Sequence, residues 1–166
     1  MQRLFLDCEF TSFEAPSLIS IGLVSEDAAH RFYGVRDDFD LASCSDFVRR
    51  AVLPMLYQPM PGSGIAAGGA MHGLELRYAL IAWLGTIPGE IEVLYEADVD
   101  WGLFTELLEQ VPARVRGRNV RTDVDWIGHW EGEYAHNALH DAMCLRWDWL
   151  HRHGLGNPGD SASRID

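Results

Sequence analysis

The clearest pattern in the chain is Leu18–Val24, LISIGLV, an almost unbroken apolar run between polar turns. A short run of this kind predicts a strand covered on both faces. Leu4–Phe10 is apolar except for its acids and predicts a second strand. Arg31–Val35 alternates and predicts a third, with turns at Thr11–Pro16 and Ser25–Ala29. Ser43–Leu56 has helical spacing, with Phe47, Val48, Ala51, Val52 and Met55 as its apolar stripe, Ser43 or Ser45 as cap and Pro54 as its end or kink. Leu76, Leu80 and Leu84 mark a helix over Leu74–Leu84. Ile91–Tyr95 predicts a strand, Asp100–Gln110 an amphipathic helix, Asn119–Arg121 a short fifth strand, and His136–Arg152 a closing helix. Residues 58–73, rich in Gly and Pro, suggest a mobile loop or a partner contact, and the polar residues 156–166 a fraying tail. The order βββ, α, α, β, α, β, α implies an α/β fold with a mixed sheet, formed by one domain over residues 1–155.

Composition adds constraints. At 166 residues and 48% hydrophobic, the chain suits one globular core. No apolar run reaches the ~18 residues that span a bilayer, and MQRLFLDCEF lacks a signal-peptide layout. A cytoplasmic protein with no membrane association is expected. Cys8, Cys44 and Cys144 match no zinc knuckle or disulfide framework. They read as reduced thiols, with Cys8 facing away from the acids that flank it. The net charge of −12 argues against a protein that coats nucleic acid. All 13 basic residues are arginine, so any phosphate contact falls to guanidinium groups.

The acids carry the candidate chemistry. Asp7 and Glu9 are two apart in a strand, so their carboxylates share a face. Side by side on an apolar strand they repel and resist desolvation, which a divalent cation would offset. A solvent-facing edge strand is the plainer alternative. Asp100 follows a buried strand at the start of a helix, where a carboxylate also serves as a cap; Glu96 and Asp98 compete with it for any metal role. In His136–Ala142, HNALHDA, His136 and Asp141 stand five apart at a helix entry, and small Ala138 and Ala142 allow the helix close to the sheet. His140 is the rival histidine.

Taken together, these segments resemble the DEDD exonucleases of the histidine subclass, within the DnaQ-like, RNase H-like superfamily. Asp7-Cys8-Glu9 matches the D-x-E motif, Asp100-Trp101-Gly102-Leu103-Phe104 the second, and His136 through Ala142 the H-x-A-x-x-D-A third. The resemblance spans Leu4 to about Arg152. Asp7–Phe10, Leu18–Gly22 and Asp100-Trp101 are most similar to the small bacterial 3′→5′ exoribonucleases first described in mycobacteria. Phe10-Thr11 stands where proofreading relatives often carry Thr-Gly, which leaves RNA or DNA open.

The resemblance implies an RNase H-like, mixed five-stranded sheet with helices on both faces. It implies two divalent cations, Mg²⁺ or Mn²⁺, held by Asp7, Glu9, Asp100 and Asp141, with Asp7 bridging them and His136 as general base. An imidazole's ordinary pKa suits that role. The expected activity is stepwise release of 5′-nucleotides from a 3′ end, with RNA preferred to DNA as the partner and DNA trimming or oligoribonuclease-like action as alternatives. A non-catalytic module that binds nucleic acid is the reading from another class. Phe10 and Trp101 are placed by position to meet the terminal nucleotide, and Trp126, Trp130 and Tyr134 to stack a base. Arg114, Arg116, Arg118 and Arg121 form a row that either guides phosphates or is a solvated connector. A homodimer is expected, since it is frequent in such relatives.

Overall fold

The computed structural model describes residues 1–58, 70–124 and 135–155. Most of the expected loop over 58–73, together with Trp126, Trp130, Tyr134 and the tail 156–166, lies outside them.

Among the described residues, five strands form one mixed sheet in the order β3-β2-β1-β4-β5. They are β1 (Gln2–Phe10), β2 (Leu18–Ser25), β3 (Arg31–Val35), β4 (Ile91–Tyr95) and β5 (Val115–Asn119). The first three are antiparallel neighbours, while β4 runs parallel to β1 and β5 parallel to β4. Helices α1 (Gly73–Thr86) and α2 (Asp98–Leu108) cover one face, and α3 (Ala138–Arg152) the other. The fold is RNase H-like, as expected.

The alternation in β1 explains the layering. Leu4, Leu6 and Cys8 point into the core shared with Leu76, Leu80 and Leu84 of α1 and Leu103, Phe104 and Leu107 of α2. Phe5 points the other way, to Trp149, Ala142 and Leu150 of α3. Asp7 and Glu9 continue the Phe5 face towards α3. With layers on both sides, every residue of β2 is buried, which is why its sequence is continuously apolar. Ile19 and Val35 meet Val48, Val52 and Leu56 in a satellite cluster.

Three expectations need correction. The fifth strand is Val115–Asn119, not Asn119–Arg121; it is an edge strand, exposed beyond Val115, so VRGRN shows no apolar alternation. The helix expected over 43–56 is irregular. The Ser45 hydroxyl does accept from the Val48 amide at 3.2 Å. A widened turn then spans Val48–Val52, followed by a tight turn over Leu53–Met55, because Pro54 has no N–H to continue the ladder. Phe47 is 55% exposed and stands off the buried stripe. Finally, α2 begins at Asp98 rather than Asp100, so Asp100 lies inside its first turn.

Gly22 allows the close approach that brings α3 to the sheet. A Cβ there would lie 2.3 Å from the Ala138 carbonyl and the Leu139 nitrogen, all backbone atoms that cannot swing aside. Gly22→Ala is therefore expected to destabilise the protein by about 1–3 kcal/mol, read as a lower midpoint of chemical unfolding. An unchanged midpoint would show that α3 does not need this contact.

Candidate active site

Asp7 and Glu9 stand near the carboxyl end of β1, where the register with β2 slips between Glu9 and Phe10. Such a slip re-aims the side chains at the end of a strand. Parallel β4 emerges beside them and leads through Glu96 and Ala97 into α2. Asp100, 4% exposed, lies in the helix's first turn, where backbone dipoles favour an anion. The backbone amides of Ala97 and Cys8 donate to its carboxylate. From the opposite side α3 brings Asp141, also 4% exposed.

Asn137 sets the position of α3. Its side-chain oxygen, Oδ1, caps the helix by accepting from the Leu139 and His140 backbone amides at 3.2 and 3.3 Å. Its amide donates to the Tyr33 hydroxyl at 3.3 Å and the Met55 carbonyl at 3.2 Å, tying the helix start to β3 and the irregular helical segment. Just before it, His136 has a φ of 66°. This left-handed conformation costs a non-glycine residue about 1–3 kcal/mol. The His136 backbone N–H donates to Asp141 Oδ2 at 3.0 Å, which helps to hold it. The His136 ring packs edge-on against Phe47 at 4.9 Å. Ligand-type atoms of Glu9, His136 and Asp141 lie within 4.8 Å of one another.

The electrostatics reflect this crowding. Burial, then Asp100, Asp141, Glu9 and Glu96, push the Asp7 carboxyl well above its ordinary range. Burial, Asp141 and Asp100 raise Glu9 to about 8. Burial raises Asp100 to about 7 despite its two amide donors, with Glu96 adding to the rise. Without a counter-cation, burial and repulsion oppose ionising these carboxyls together. Four carboxylates and no thiolate are the donor set that a hard divalent cation prefers, so the residues fit such an ion. Cys8 does not intervene; its thiol faces the other layer, 3.8 Å from the Asp100 carbonyl oxygen.

A cleft of about 290 Å³ opens over the cluster. Asp7, Glu9, Glu96, Asp100 and His136 line it, with Phe10, Phe13 and Phe47 among its apolar walls. The structure thus brings His136 and all four expected acids together. Glu96 reaches the cleft and has a buried oxygen, Oε1, without a hydrogen bond. Burial raises its carboxyl to about 7, against the pull of Arg121. Asp98 is turned away and accepts from Asn119 at 2.7 Å. His140 lies beside Asp141 rather than in the cleft lining; burial lowers its pKa, but hydrogen bonds with Asp141 and Cys144 prevail and raise it to about 10.

The expected substrate contacts divide. Phe10 lines the cleft and meets Phe13 edge-on at 5.1 Å. Trp101 does not line it; the ring stacks with Tyr95 and Phe104 and fills the space above Gly117. Arg114 is committed to the backbone, donating to the carbonyls of Leu84, Ile87 and Gly89 around the end of α1. Arg116 pairs with Glu92 at 3.0 Å and Arg118 with Asp123 at 2.5 Å. Three of the four arginines of the expected row thus have partners within the fold, and Arg121 acts electrostatically on Glu96. Phe13 and Phe47 were not singled out as site residues from sequence. The 84% exposure of Phe13 could not have been read from composition.

Among known structures, twenty chains match this fold at high significance. One is the zinc-ion-bound form of the E. coli ExoI–ssDNA complex. The match has a TM-score of 0.54 and 13% identity, and covers 92% of this chain. This chain spans 40% of the length of that protein. At such low identity the likeness establishes the shared fold. No family model and no curated protein matches.

The raised carboxyl groups predict a pH dependence. Glu9 shifts from an ordinary 4.5 to about 8, so the folded state binds the extra proton. Stability should then fall as pH rises from about 4.5 to 8 and level off above. Thermal melts in a chelator should show this decline, and Mn²⁺ should raise the midpoint more at pH 8 than at pH 5, since it binds only the folded cluster. A Mn²⁺ effect independent of pH would count against metal binding by these carboxylates.

Proposed function

We propose that the protein is a metal-dependent 3′→5′ exonuclease, formed by one domain over residues 1–155, that releases 5′-nucleotides from single-stranded 3′ ends, RNA first among its substrates. The observation that carries this reading is the convergence of Asp7, Glu9, Asp100 and Asp141 beside His136, with Asp7, Glu9, Asp100 and His136 lining one cleft. The sequence motifs and the shared fold support it.

Phosphodiester hydrolysis needs a nucleophilic water, neutralisation of charge building on phosphorus, and a stabilised leaving oxygen. Two divalent cations, Mg²⁺ or Mn²⁺, bound by the four carboxylates would supply these. The chain's residues do the rest. Asp7, with the other three acids around it, would be the carboxylate best placed to hold both ions. His136 accepts a proton from the attacking water on a ring nitrogen; its strained backbone and its packing on Phe47 orient the ring. The new bond forms between water oxygen and phosphorus, the bond from phosphorus to the preceding nucleotide's 3′ oxygen breaks, and that oxygen takes a proton from solvent to become the new 3′-hydroxyl. Phe10, Phe13 and Phe47 offer apolar surfaces on which the terminal bases can stack, independently of sequence.

A specific observation favours a second substrate: the ExoI complex that shares the fold contains ssDNA. The deciding experiment is a panel of end-labelled dinucleotide, single-stranded RNA, single-stranded DNA and overhang duplex with Mg²⁺ or Mn²⁺. Single-nucleotide steps from the 3′ end of RNA are expected; no release from any strand would reject the function.

Two sets of substitutions follow. Asp7→Ala should reduce release to background, and His136→Ala should slow it by about 10²–10⁴-fold, with circular dichroism unchanged in both. Full activity in either variant would sink the assignment. Phe13→Ala should weaken binding of the strand by about 1–3 kcal/mol, seen as a higher KM, without lowering the unfolding midpoint.

A further inference from the structure

Helix α3 carries a second group of ligand-type atoms, which joins Asp141 to two residues that the proposed reaction does not use, His140 and Cys144. His140 and Cys144 stand one helical turn apart, with Cys144 Sγ 3.8 Å from Nδ1 and 3.7 Å from Nε2 of His140. Next to His140, Asp141 Oδ1 lies 3.0 Å from its Nδ1. One nitrogen, one oxygen and the sulfur fall within 4.8 Å of one another.

These spacings suit one metal ion. Ligands bound tetrahedrally to zinc at about 2.0–2.3 Å are roughly 3.3–3.7 Å apart. The sulfur is almost equally far from both ring nitrogens, so rotating the imidazole turns a lone pair to the ion without moving the helix. Ligands at i and i+4 on one helix face already chelate zinc in the H-E-x-x-H arrangement. The donor types discriminate as well. Zinc accepts imidazole, carboxylate and thiolate together, whereas Mg²⁺ and Mn²⁺ prefer oxygen. Asp141 is 2% exposed at its side chain and His140 22%, so the group lies at the edge of the buried cluster, with Cys144 half-buried beside it.

We propose that His140, Asp141 and Cys144 form a zinc site, and that zinc bound there inhibits the enzyme by drawing Asp141 out of the four-carboxylate cluster. Water completes the tetrahedron. Binding expels two protons to solvent, the one between His140 and Asp141 and the one on the Cys144 thiol. The inhibition rests on the proposed exonuclease function; the binding does not.

The test uses the full, metal-free chain. Titration with Co²⁺, a spectroscopic substitute for zinc, should produce a near-ultraviolet thiolate-to-cobalt absorption band. Cys144→Ser and Cys144→Ala, which retain Cys8 and Cys44, should lose it, with circular dichroism checking the fold. In the nuclease assay with saturating Mn²⁺, zinc should inhibit the wild type. Cys144→Ser should keep its basal rate and need about tenfold more zinc, or beyond, for half-inhibition. No band in the wild type, or a band that survives loss of Cys144, overturns the site. Equal zinc sensitivity in wild type and Cys144→Ser overturns the inhibition and places zinc in the carboxylate cluster alone. If no substrate is cleaved, the exonuclease reading fails while the cobalt band still decides the binding.

Discussion

Like charge, gathered where water is scarce, is the condition to which the rest of the structure is fitted. Asp7, Glu9, Asp100 and Asp141 come from three elements; burial with mutual repulsion raises the carboxyls of Asp7 and Glu9, and burial with repulsion from Glu96 raises Asp100. Left bare, such a group is costly. The fold supplies partial compensation: the first turn of α2 and two backbone amides for Asp100, and the His136 amide for Asp141. Hydrophobic packing on both faces of the sheet supplies the energy that holds the acids together, with Leu6 and Cys8 buried on one side of β1 and Phe5 on the other. A cation is the partner that the remaining charge calls for.

Much of the fold was legible because it obeys periodicity. LISIGLV, short and bounded by turns, read as a doubly covered strand, and the two-residue spacing of Asp7 and Glu9 gave their shared face. What escaped lacks periodicity or has competing local signals. The edge strand β5 carries Arg, Gly and Asn where side chains face solvent. The segment after Ser45 follows a helical pattern until Pro54 forces the backbone to redistribute its hydrogen bonds. Arg114 looked like part of a cationic row; only the three-dimensional position of the end of α1 shows three carbonyls awaiting its guanidinium.

The site was more legible than its walls. Chemistry fixes the types and approximate spacing of carboxylates and histidine, so short motifs reveal them. Stacking surfaces need only an aromatic ring in the right place. Phe47 was credited to the core by helical spacing, yet it stands against His136. Glu96 and Asp98 were equal rivals along the chain; the turn into α2 separates them, one facing the cleft and the other paired with Asn119.

The hydrogen bond from the His136 amide to Asp141 Oδ2 joins two roles in a single hinge of the backbone. The same carboxylate that faces the cluster steadies the strained residue presenting the imidazole. The two positions are thus mechanically coupled, and disturbing Asp141 also loosens His136. Their energetic contributions cannot be separated by replacing them one at a time.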